Sequence, residues 1–281
     1  MILVADSGST KTNWLTRDVP VMETIGFNPF FHSSESIYDH LTKHQELNRI
    51  RSQVTQIFFY GSGCSSPERK SIVHKSLTKF FPGAEIYVDH DLLAAALATY
   101  DGRRCISCIL GTGSNVCVYD GVEIDSSVSR GLGYILGDEA SGSYFGRRLL
   151  TAFIYGELPQ ATHELMLNEY GLTKENILRA VYHEPHANVY MASFAKVLTL
   201  SPDREFVEEM VYEGFKDFFR HDVLCFEGYQ DMPVHFVGSI AFHFIDILAR
   251  VANEYGCELG SVDRQPIYKL LEWHERTQTA V

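Results

Sequence analysis

The first seventeen residues, MILVADSGSTKTNWLTR (residues 1–17), contain the pattern that decides the fold. An apolar run, ILVAD (2–6), ends at a carboxylate, passes through small hydroxyl-bearing residues and continues into a second strand-like run. Asp, Ser and Gly are ordinary turn residues, so a plain hairpin tip is one interpretation. The other is an anion-binding hairpin, because oriented backbone amides and hydroxyl groups in such turns bind phosphate.

A second stretch, CILGTGSN (108–115), repeats the pattern of a buried strand, a small-residue turn and a further strand. Neither turn matches the GxxxxGK[ST] loop or the GxGxxG dinucleotide fingerprint. The repetition instead predicts two related halves, each a strand meander followed by helices. Two glycine-and-hydroxyl hairpin tips that face each other would form a phosphate clamp.

The composition excludes several functional classes. The chain has 281 residues and a formal net charge of −12, so it lacks the basic surface that a nucleic acid partner requires. No run approaches the roughly 18 apolar residues that span a bilayer, and the first residues lack a signal-peptide pattern, so we expect a cytoplasmic protein. Cys105 and Cys108 form a CxxC, but residues three apart in a strand point to opposite faces, so we expect no metal site there.

Apolar runs predict strands at residues 2–6, 12–17, 21–27, 55–64, 85–91, 105–110 and 233–239. The stretch VCVYDGVEIDSSV (116–128) predicts a hairpin around Asp120 and Gly121. Helical periodicity predicts single helices over residues 34–47, 67–81, 240–255 and 265–277, and a mostly helical region from about 139 to 227.

The acidic residues of the first half allow two interpretations each. Asp6 ends a strand beside the first turn, where it either caps the turn or holds a hydrated Mg²⁺ against phosphates. Lys11 is either a phosphate-neutralising cation or a solvated surface residue. Asp91 begins a helix, where a carboxylate either caps the amides or acts as a general base, and Asp89 could serve as well.

The loop GYILGDEASGSYFG (133–146) precedes a predicted helix in the second half. One interpretation is a capped helix start, with Asp138 or Glu139 in the first turn of that helix. Alternatively, Asp138 accepts hydrogen bonds from the hydroxyl groups of a sugar.

Taken in order, the motifs resemble those of the sugar kinase, Hsp70 and actin superfamily of ATPases. Within it, the chain is most similar to the N-acetylglucosamine kinase group of the BadF/BadG/BcrA/BcrD-type ATPase family. The resemblance covers nearly the whole chain and rests on DSGSTKT (6–12), GFNPFF (26–31), YGSGC (60–64), VDHDLLAAA (88–96), GTGSN (111–115), GLGYILGDEASG (131–142), FVGSIA (236–241) and QPIYKLLEWH (265–274).

The resemblance implies an α/β fold with two ribonuclease H-like (actin-like ATPase) domains around an ATP cleft. The first domain would run from 1 to 105, completed by a C-terminal helix at about 266–281, and the second from 106 to 265. It also implies phosphoryl transfer from MgATP to an amino sugar, with N-acetylglucosamine and its 6-phosphate as acceptor and product.

The family pattern also implies a role for individual residues. Asp91 would be the catalytic base and Asp6 the Mg²⁺ residue. The residues that would bind the sugar are Asn28, Ser114 and Asp138. Those that would bind ATP are Gly8, Ser9, Thr10, Lys11, Gly111, Thr112, Gly113, Gly238 and Ser239.

The sequence departs from the family pattern at two places, and two alternative functions stay open. Lys269 stands where the family usually has a glycine, which bears on hinge geometry rather than on the chemistry. The family's other branch activates acyl-CoA dehydratases and reductases, and a cysteine in its CAAGTG-like loop helps to bind an iron–sulfur cluster between two subunits. In the comparable region this chain has GDEASG (137–142), and its cysteines lie elsewhere. A catalytically silent nucleotide-dependent sensor is the second alternative. The sequence leaves open which amino sugar is the acceptor, and a homodimer is the predicted oligomeric state.

Overall fold

A computed structural model describes residues 1–127, 129 and 131–279. The last residue of the predicted hairpin, Val128, and residues 280–281 of the predicted C-terminal helix lie outside the described residues. Contacts within the chain divide it into two units. The first consists of Met1–Thr99 together with the C-terminal segment from Gln265, and the second is Tyr100–Arg264. Within the described ranges, no helix is both long and apolar enough to cross a bilayer.

The sheet of the first unit has five strands in the order β3-β2-β1-β4-β5. The strands are β1 (Ile2–Ser7), β2 (Lys11–Thr16), β3 (Val19–Ile25), β4 (Gln56–Gly61) and β5 (Glu85–His90). β1 to β3 form an antiparallel meander, whereas β4 and β5 run parallel to β1. The carboxyl ends of β1, β4 and β5 therefore lie at one edge of the sheet, where ligands bind in open α/β sheets.

Helices cover this sheet, and one prediction about them is wrong. The helices of the first part of the chain are α1 (Ser34–Lys43), α2 (Gln45–Ile50), α3 (Pro67–Phe80) and α4 (Asp91–Thr99). The single helix predicted over 34–47 is broken at His44, whose backbone is extended and whose ring accepts a hydrogen bond from the Leu47 amide. Asn48 stabilises the break by donating to the carbonyls of Thr42 and His44.

The second unit repeats the strand arrangement of the first, with the order β10-β9-β6-β7-β8. Its strands are β6 (Cys105–Leu110), β7 (Ser114–Tyr119), β8 (Ile124–Asp125), β9 (Val234–Val237) and β10 (Leu259–Asp263). Again three strands form an antiparallel meander and two run parallel to the first of them. β10 was not predicted because its sequence, LGSVD, contains no apolar run and all five residues are half-buried at the sheet edge.

The helices of the second unit are α5 (Gly133–Leu136), α6 (Gly142–Tyr155), α7 (Gln160–Tyr170), α8 (Lys174–Tyr182), α9 (Ala187–Ser193), α10 (Lys196–Leu200), α11 (Arg204–Phe218), α12 (Ser239–His243) and α13 (Ile245–Glu254). The single helix predicted over 240–255 is divided at Phe244, whose backbone leaves the helical region. The Phe244 side chain packs against the buried core of this unit. Tertiary packing therefore outweighs the helical periodicity at this position.

The C-terminal helix α14 (Ile267–Thr279) completes the first unit by packing on β1, β2 and α4. Its buried His274 stacks on Phe58, with ring centroids 3.6 Å apart, and its Nε2 lies 2.8 Å from the Tyr60 hydroxyl group. Burial lowers the pKa of His274 from 6.5 to about 4. The neutral ring thus joins α14 to β4 through stacking and one hydrogen bond.

Candidate active site

The first predicted phosphate turn is the hairpin tip Gly8-Ser9-Thr10, between β1 and β2. The Gly8 amide donates to the Lys11 carbonyl over 2.9 Å, and the Gly26 amide donates to the Thr10 carbonyl over 3.0 Å. A Cβ atom at Gly26 would collide with the Gly8 carbonyl oxygen. Gly26 therefore lets the tip lie directly on the chain after β3. The only sequence signal for this role is a glycine placed at the end of a strand.

Hydroxyl groups beneath the tip hold it in place. Ser7 Oγ lies 2.8 Å from Thr12 Oγ1, and the Phe27 amide donates to Ser7 Oγ over 3.0 Å. Thr12 Oγ1 in turn donates to the Ile25 carbonyl. Because Ser7 and Thr12 are buried, their hydroxyl groups fix the hairpin rather than face a ligand.

Lys11 begins β2 and forms an ion pair with Glu23 of β3, with 2.6 Å between Nζ and Oε2. Its side chain stays 43% exposed. The positive charge of Lys11 also acts on Asp6. It lowers the pKa of that carboxyl group, but burial and Asp91 together raise this pKa by more. The position of Lys11 is thus compatible with both interpretations made from the sequence, a phosphate-neutralising cation and a solvated surface residue.

Asn28 lies between the hairpin tip and the turn that follows β4. Its Nδ2 is 3.4 Å from Ser9 Oγ, and its Oδ1 accepts a hydrogen bond from the Phe30 amide. On its other side, a Cβ atom at Gly63 would come within 2.5 Å of Asn28 Oδ1. The predicted sugar residue therefore links two loops at the ligand-binding edge of the sheet.

The two candidate bases, Asp89 and Asp91, occupy different environments. The Asp89 carboxylate is held by Lys70 at 2.7 Å and accepts from the His90 amide. Asp91 is the first residue of α4, accepts from the Leu92 amide and has a hydrogen bond with Ser62. Burial raises the pKa of Asp91 despite these hydrogen bonds and the nearby His90. A carboxyl group with a raised pKa is the better proton acceptor near neutrality.

Asp6 shares its surroundings with Asp91. Burial, followed by the negative charge of Asp91, raises the pKa of Asp6 to about 7. A divalent cation would offset this repulsion, and carboxylate oxygens are the ligands that Mg²⁺ prefers. No group of three or more metal-binding side chains occurs in the part of the chain that the structure describes. This donor set fits a Mg²⁺ ion held by one or two carboxylates and by substrate phosphates, which is the usual arrangement in kinases.

The second predicted phosphate turn, Gly111-Thr112-Gly113, joins β6 to β7. The Gly111 amide donates to the Gly113 carbonyl over 3.0 Å. The first residues of α6, Gly142 and Ser143, donate their amides to the carbonyls of Gly111 and Thr112. A Cβ atom at Gly111 would meet no atom within 4 Å, so a ligand can approach this backbone closely.

Asp138 is not the cap of α6. Ser141 caps this helix by accepting from the Tyr144 amide over 3.1 Å, which excludes the helix-cap interpretation of Asp138. The backbone of Asp138 is left-handed, with φ of 54°, and Ala140 has φ of 56°. A left-handed conformation costs a residue such as alanine about 1–2 kcal/mol. The sequence offered no signal for it, because neither residue is glycine.

Gly238 and Ser239, which the resemblance assigns to the adenosine part of ATP, lie beside the second phosphate turn. Gly238 has φ of 130°, and a Cβ atom there would collide with the Leu110 carbonyl and lie 3.1 Å from the Gly111 amide nitrogen. Ser239 begins α12 directly after it. Ser114, a predicted sugar residue, is the first residue of β7 and pairs with Leu110. The second unit thus brings its predicted phosphate, adenosine and sugar residues to one end of its sheet.

The chain is similar over its full length to a Porphyromonas gingivalis protein of known crystal structure that is provisionally described as an N-acetylglucosamine kinase. The two are 36% identical, the match covers 99% of this chain and 100% of that one, and the TM-score is 0.91. No protein-family model matches the chain, and no curated protein matches it.

Two more distant structures share the fold. A Chromobacterium violaceum protein with the same provisional description is 16% identical, with a TM-score of 0.67 and coverage of 97% of this chain and 98% of that one. A ROK family glucokinase from Streptomyces griseus, in complex with glucose and AMPPNP, is 13% identical, with a TM-score of 0.54 and coverage of 96% and 98%.

These similarities agree with the two mixed five-stranded sheets described above and confirm the predicted α/β actin-like ATPase fold. The identity of 36% over the whole length is high enough to establish kinship and not only a shared architecture. The chain therefore belongs to the N-acetylglucosamine kinase-like family of sugar kinases, within the actin-like ATPase superfamily.

Proposed function

We propose that the protein transfers the γ-phosphoryl group of ATP to a hydroxyl group of an amino sugar, and that the acceptor is N-acetylglucosamine, phosphorylated at its 6-hydroxyl. The observation that carries this proposal is the pair of acids Asp6, in β1, and Asp91, directly after β5, whose pKa values are both raised by burial. A kinase needs one acid for the metal and one for the acceptor hydroxyl group. The full-length similarity to a protein described as an N-acetylglucosamine kinase supports the choice of sugar.

Asp91 accepts the proton of the sugar hydroxyl group and directs the oxygen toward the γ-phosphorus. Its position at the start of α4 holds the carboxylate on a rigid element, and Ser62 and the Leu92 amide orient its oxygens. Its raised pKa makes it a stronger proton acceptor than an exposed aspartate. Asp89 is the weaker candidate because Lys70 holds its carboxylate.

The nucleotide phosphates bind to backbone amides and hydroxyl groups of the two hairpin tips. Small residues at these tips allow phosphate oxygens to approach the backbone, and Lys11 contributes positive charge. The adenosine lies at the start of α12. The residues assigned to ATP are Gly8, Ser9, Thr10, Lys11, Gly111, Thr112, Gly113, Gly238 and Ser239.

Asp6 would hold Mg²⁺, which would supply positive charge to the nucleotide phosphates. Without a cation, Asp6 and Asp91 repel each other in a poorly solvated environment. The sugar is held by Asn28, Ser114 and Asp138, whose amide, hydroxyl and carboxylate groups can exchange hydrogen bonds with sugar hydroxyl groups. The fold relative that was solved with glucose and AMPPNP supports a sugar and a nucleotide as the two ligands.

The test is a coupled ADP-release assay on the purified chain with a panel of acceptors: N-acetylglucosamine, glucosamine, N-acetylmannosamine, anhydro-muramic acid and glucose. We expect the highest kcat/KM with N-acetylglucosamine and a dependence on Mg²⁺. If another sugar gives the highest kcat/KM, the acceptor assignment is wrong and the reaction class stands. Normal ATP binding with no turnover on any sugar would instead favour the nucleotide-dependent sensor.

The alternative function, activation of a radical dehydratase, has less support than the sugar kinase. Its iron–sulfur cluster would need accessible thiol groups, but five of the six cysteines are buried and Cys225 is half-buried. Burial also raises the pKa of Cys105 and of Cys257 to about 11, which disfavours the thiolate that binds iron. A brown, iron-containing preparation would revive this alternative.

The cytoplasmic location and the homodimer stay predictions.

A further inference from the structure

The loop that carries Asn28 also exposes an aromatic side chain next to the proposed acceptor site. Phe30 is 64% exposed, the highest value among the large apolar side chains that the structure describes in the first unit. Its amide donates to Asn28 Oδ1 over 2.9 Å, so the positions of Phe30 and of the proposed sugar residue are coupled.

The same ring lies close to the turn that precedes α3. A Cβ atom at Gly63 would come within 3.0 Å of the Phe30 ring and within 2.5 Å of Asn28 Oδ1. Ser62, the residue before Gly63, has a hydrogen bond with Asp91. Phe30 therefore packs against the turn whose Ser62 binds the proposed general base, and no step described above uses it.

Arg69 holds the ring from one side. Its guanidinium carbon lies 4.6 Å from the centroid of the Phe30 ring. The guanidinium group is itself fixed, because Nε donates to the Gly63 carbonyl over 2.7 Å and one terminal nitrogen donates to Ser65 Oγ over 2.6 Å. One face of the ring is thus covered by a cation, and the large exposed fraction leaves the opposite face open.

We propose that Phe30, positioned by Arg69, forms a platform for the acceptor, with the open face of its ring against the C–H face of the sugar ring. This inference rests on the proposed function and adds a binding residue to it. The face of an aromatic ring is electron-rich and attracts the polarised C–H groups of a sugar, while neighbouring polar groups bind its hydroxyl groups. Asn28 supplies such a polar group beside the platform.

The experiment compares steady-state kinetics of the full-length wild type with Phe30→Ala, Phe30→Leu and Phe30→Tyr. We expect Phe30→Ala to raise the KM for N-acetylglucosamine about tenfold, the effect of one lost aromatic contact. The KM for ATP and the melting temperature should stay unchanged, because the side chain is exposed and belongs to the acceptor side. Phe30→Tyr keeps the ring and should stay within about twofold of wild type, with Phe30→Leu between the two.

Arg69→Ala tests the positioning role. It should raise the KM for the sugar by a smaller factor and leave kcat nearly unchanged, because Arg69 orders the ring without touching the sugar. The matched control is Lys79→Ala, which removes a similar cation–ring pair, Lys79 over Tyr38 at 3.8 Å, at the far end of α3. This control should not change either KM value.

A second acceptor separates recognition of the sugar ring from recognition of its acetyl group. Glucosamine has the same C–H face but no acetyl group. Phe30→Ala should therefore weaken the binding of both sugars to a similar extent, measured as KM values or as inhibition constants. A loss confined to N-acetylglucosamine would overturn the assignment of the ring to the C–H face.

The failure of this inference can be distinguished from the failure of the proposed function. If the wild type phosphorylates an amino sugar and Phe30→Ala has unchanged KM values, only the platform is wrong. If the wild type neither phosphorylates nor binds any sugar of the panel by calorimetry, both the platform and the proposed function are wrong.

Discussion

Asp138 Oδ2 lies so close to Gly113 that a methyl group on the Gly113 α-carbon would come within 2.8 Å of it. Atoms essentially never approach a Cβ this closely, so a side chain at position 113 must displace the carboxylate. We expect Gly113→Ala to raise the KM for the sugar about tenfold, which corresponds to roughly 1.4 kcal/mol of lost binding. The melting temperature should change little, because Asp138 rather than the backbone can move.

Gly111→Ala is the matched control in the same hairpin tip, because a Cβ atom there would lie in open space. If the hairpin binds phosphates, this variant should raise the KM for ATP rather than that for the sugar. Equal effects of the two variants on both KM values would show that the contact between Gly113 and Asp138 has no special role.

Asp138→Asn tests the same carboxylate without a steric change. Asparagine tolerates the left-handed backbone at this position, so the loop should keep its shape. Losing a charged acceptor to a sugar hydroxyl group costs about 1.5–3 kcal/mol, so the KM for the sugar should rise by one to two orders of magnitude. The KM for ATP and the melting temperature should stay close to wild type. An unchanged sugar KM would remove Asp138 from the sugar site.

Asp91→Asn should lower kcat by about 10²–10⁴-fold, the usual contribution of a general base. Binding of ATP and of the sugar, measured by calorimetry, should persist, because asparagine keeps the size and most hydrogen bonds of aspartate. Asp89→Asn is the control, and it should cost only the surface ion pair with Lys70, worth up to about 1 kcal/mol of stability. The reverse result, with Asp89→Asn inactive and Asp91→Asn within about tenfold of wild type, would make Asp89 the base.

Asp6→Ala distinguishes a role of Asp6 in binding Mg²⁺ from a role in stabilising the turn. The raised pKa of Asp6 means that the charged side chain is poorly solvated, so its removal should leave the melting temperature unchanged or higher. Activity should fall and should partly return at high Mg²⁺, because weaker binding is offset by mass action. A lower melting temperature with no recovery at any Mg²⁺ concentration would show that Asp6 only stabilises the turn.

His274 makes the stability of the first unit sensitive to acid. Its pKa is about 4 in the folded protein and about 6.5 when unfolded, so between these values the unfolded chain binds more protons. Stability is therefore complete above about pH 6.5 and falls as the pH drops toward 4, by about 3 kcal/mol in total. Urea unfolding of wild type and His274→Gln at pH 7 and pH 4.5 should show a smaller loss in the variant. Equal losses would show that other groups cause the acid sensitivity.

Much of the fold follows from local pattern. The two hairpins, the later strands β4, β5 and β9 and the helix at Asp91 were predicted, because each joins a continuous apolar run to a turn of small or acidic residues. The helix breaks at His44 and Phe244 were not predicted, because side-chain hydrogen bonds and core packing override the local periodicity at both positions.

Parts of the candidate site also could not be predicted from the local sequence pattern. The left-handed backbone at Asp138 and Ala140 depends on how the loop is held rather than on its composition. The close approach of Gly26 to the hairpin tip joins segments that lie eighteen positions apart, from Gly8 to Gly26, and becomes visible only when both are placed in space. Residue types therefore indicated the candidate site, and the structure adds which of its atoms constrain each other.

The helix α14 has a consequence for the order in which the chain folds. It belongs to the first unit, yet it follows residues 100–264 in the chain and therefore leaves the ribosome after the whole second unit. The second unit is continuous and can fold as soon as it emerges, whereas the sheet that begins the chain must wait for its last helix to cover β1 and β2. Until then its apolar face is exposed, so the part of the protein that is synthesised first is completed last.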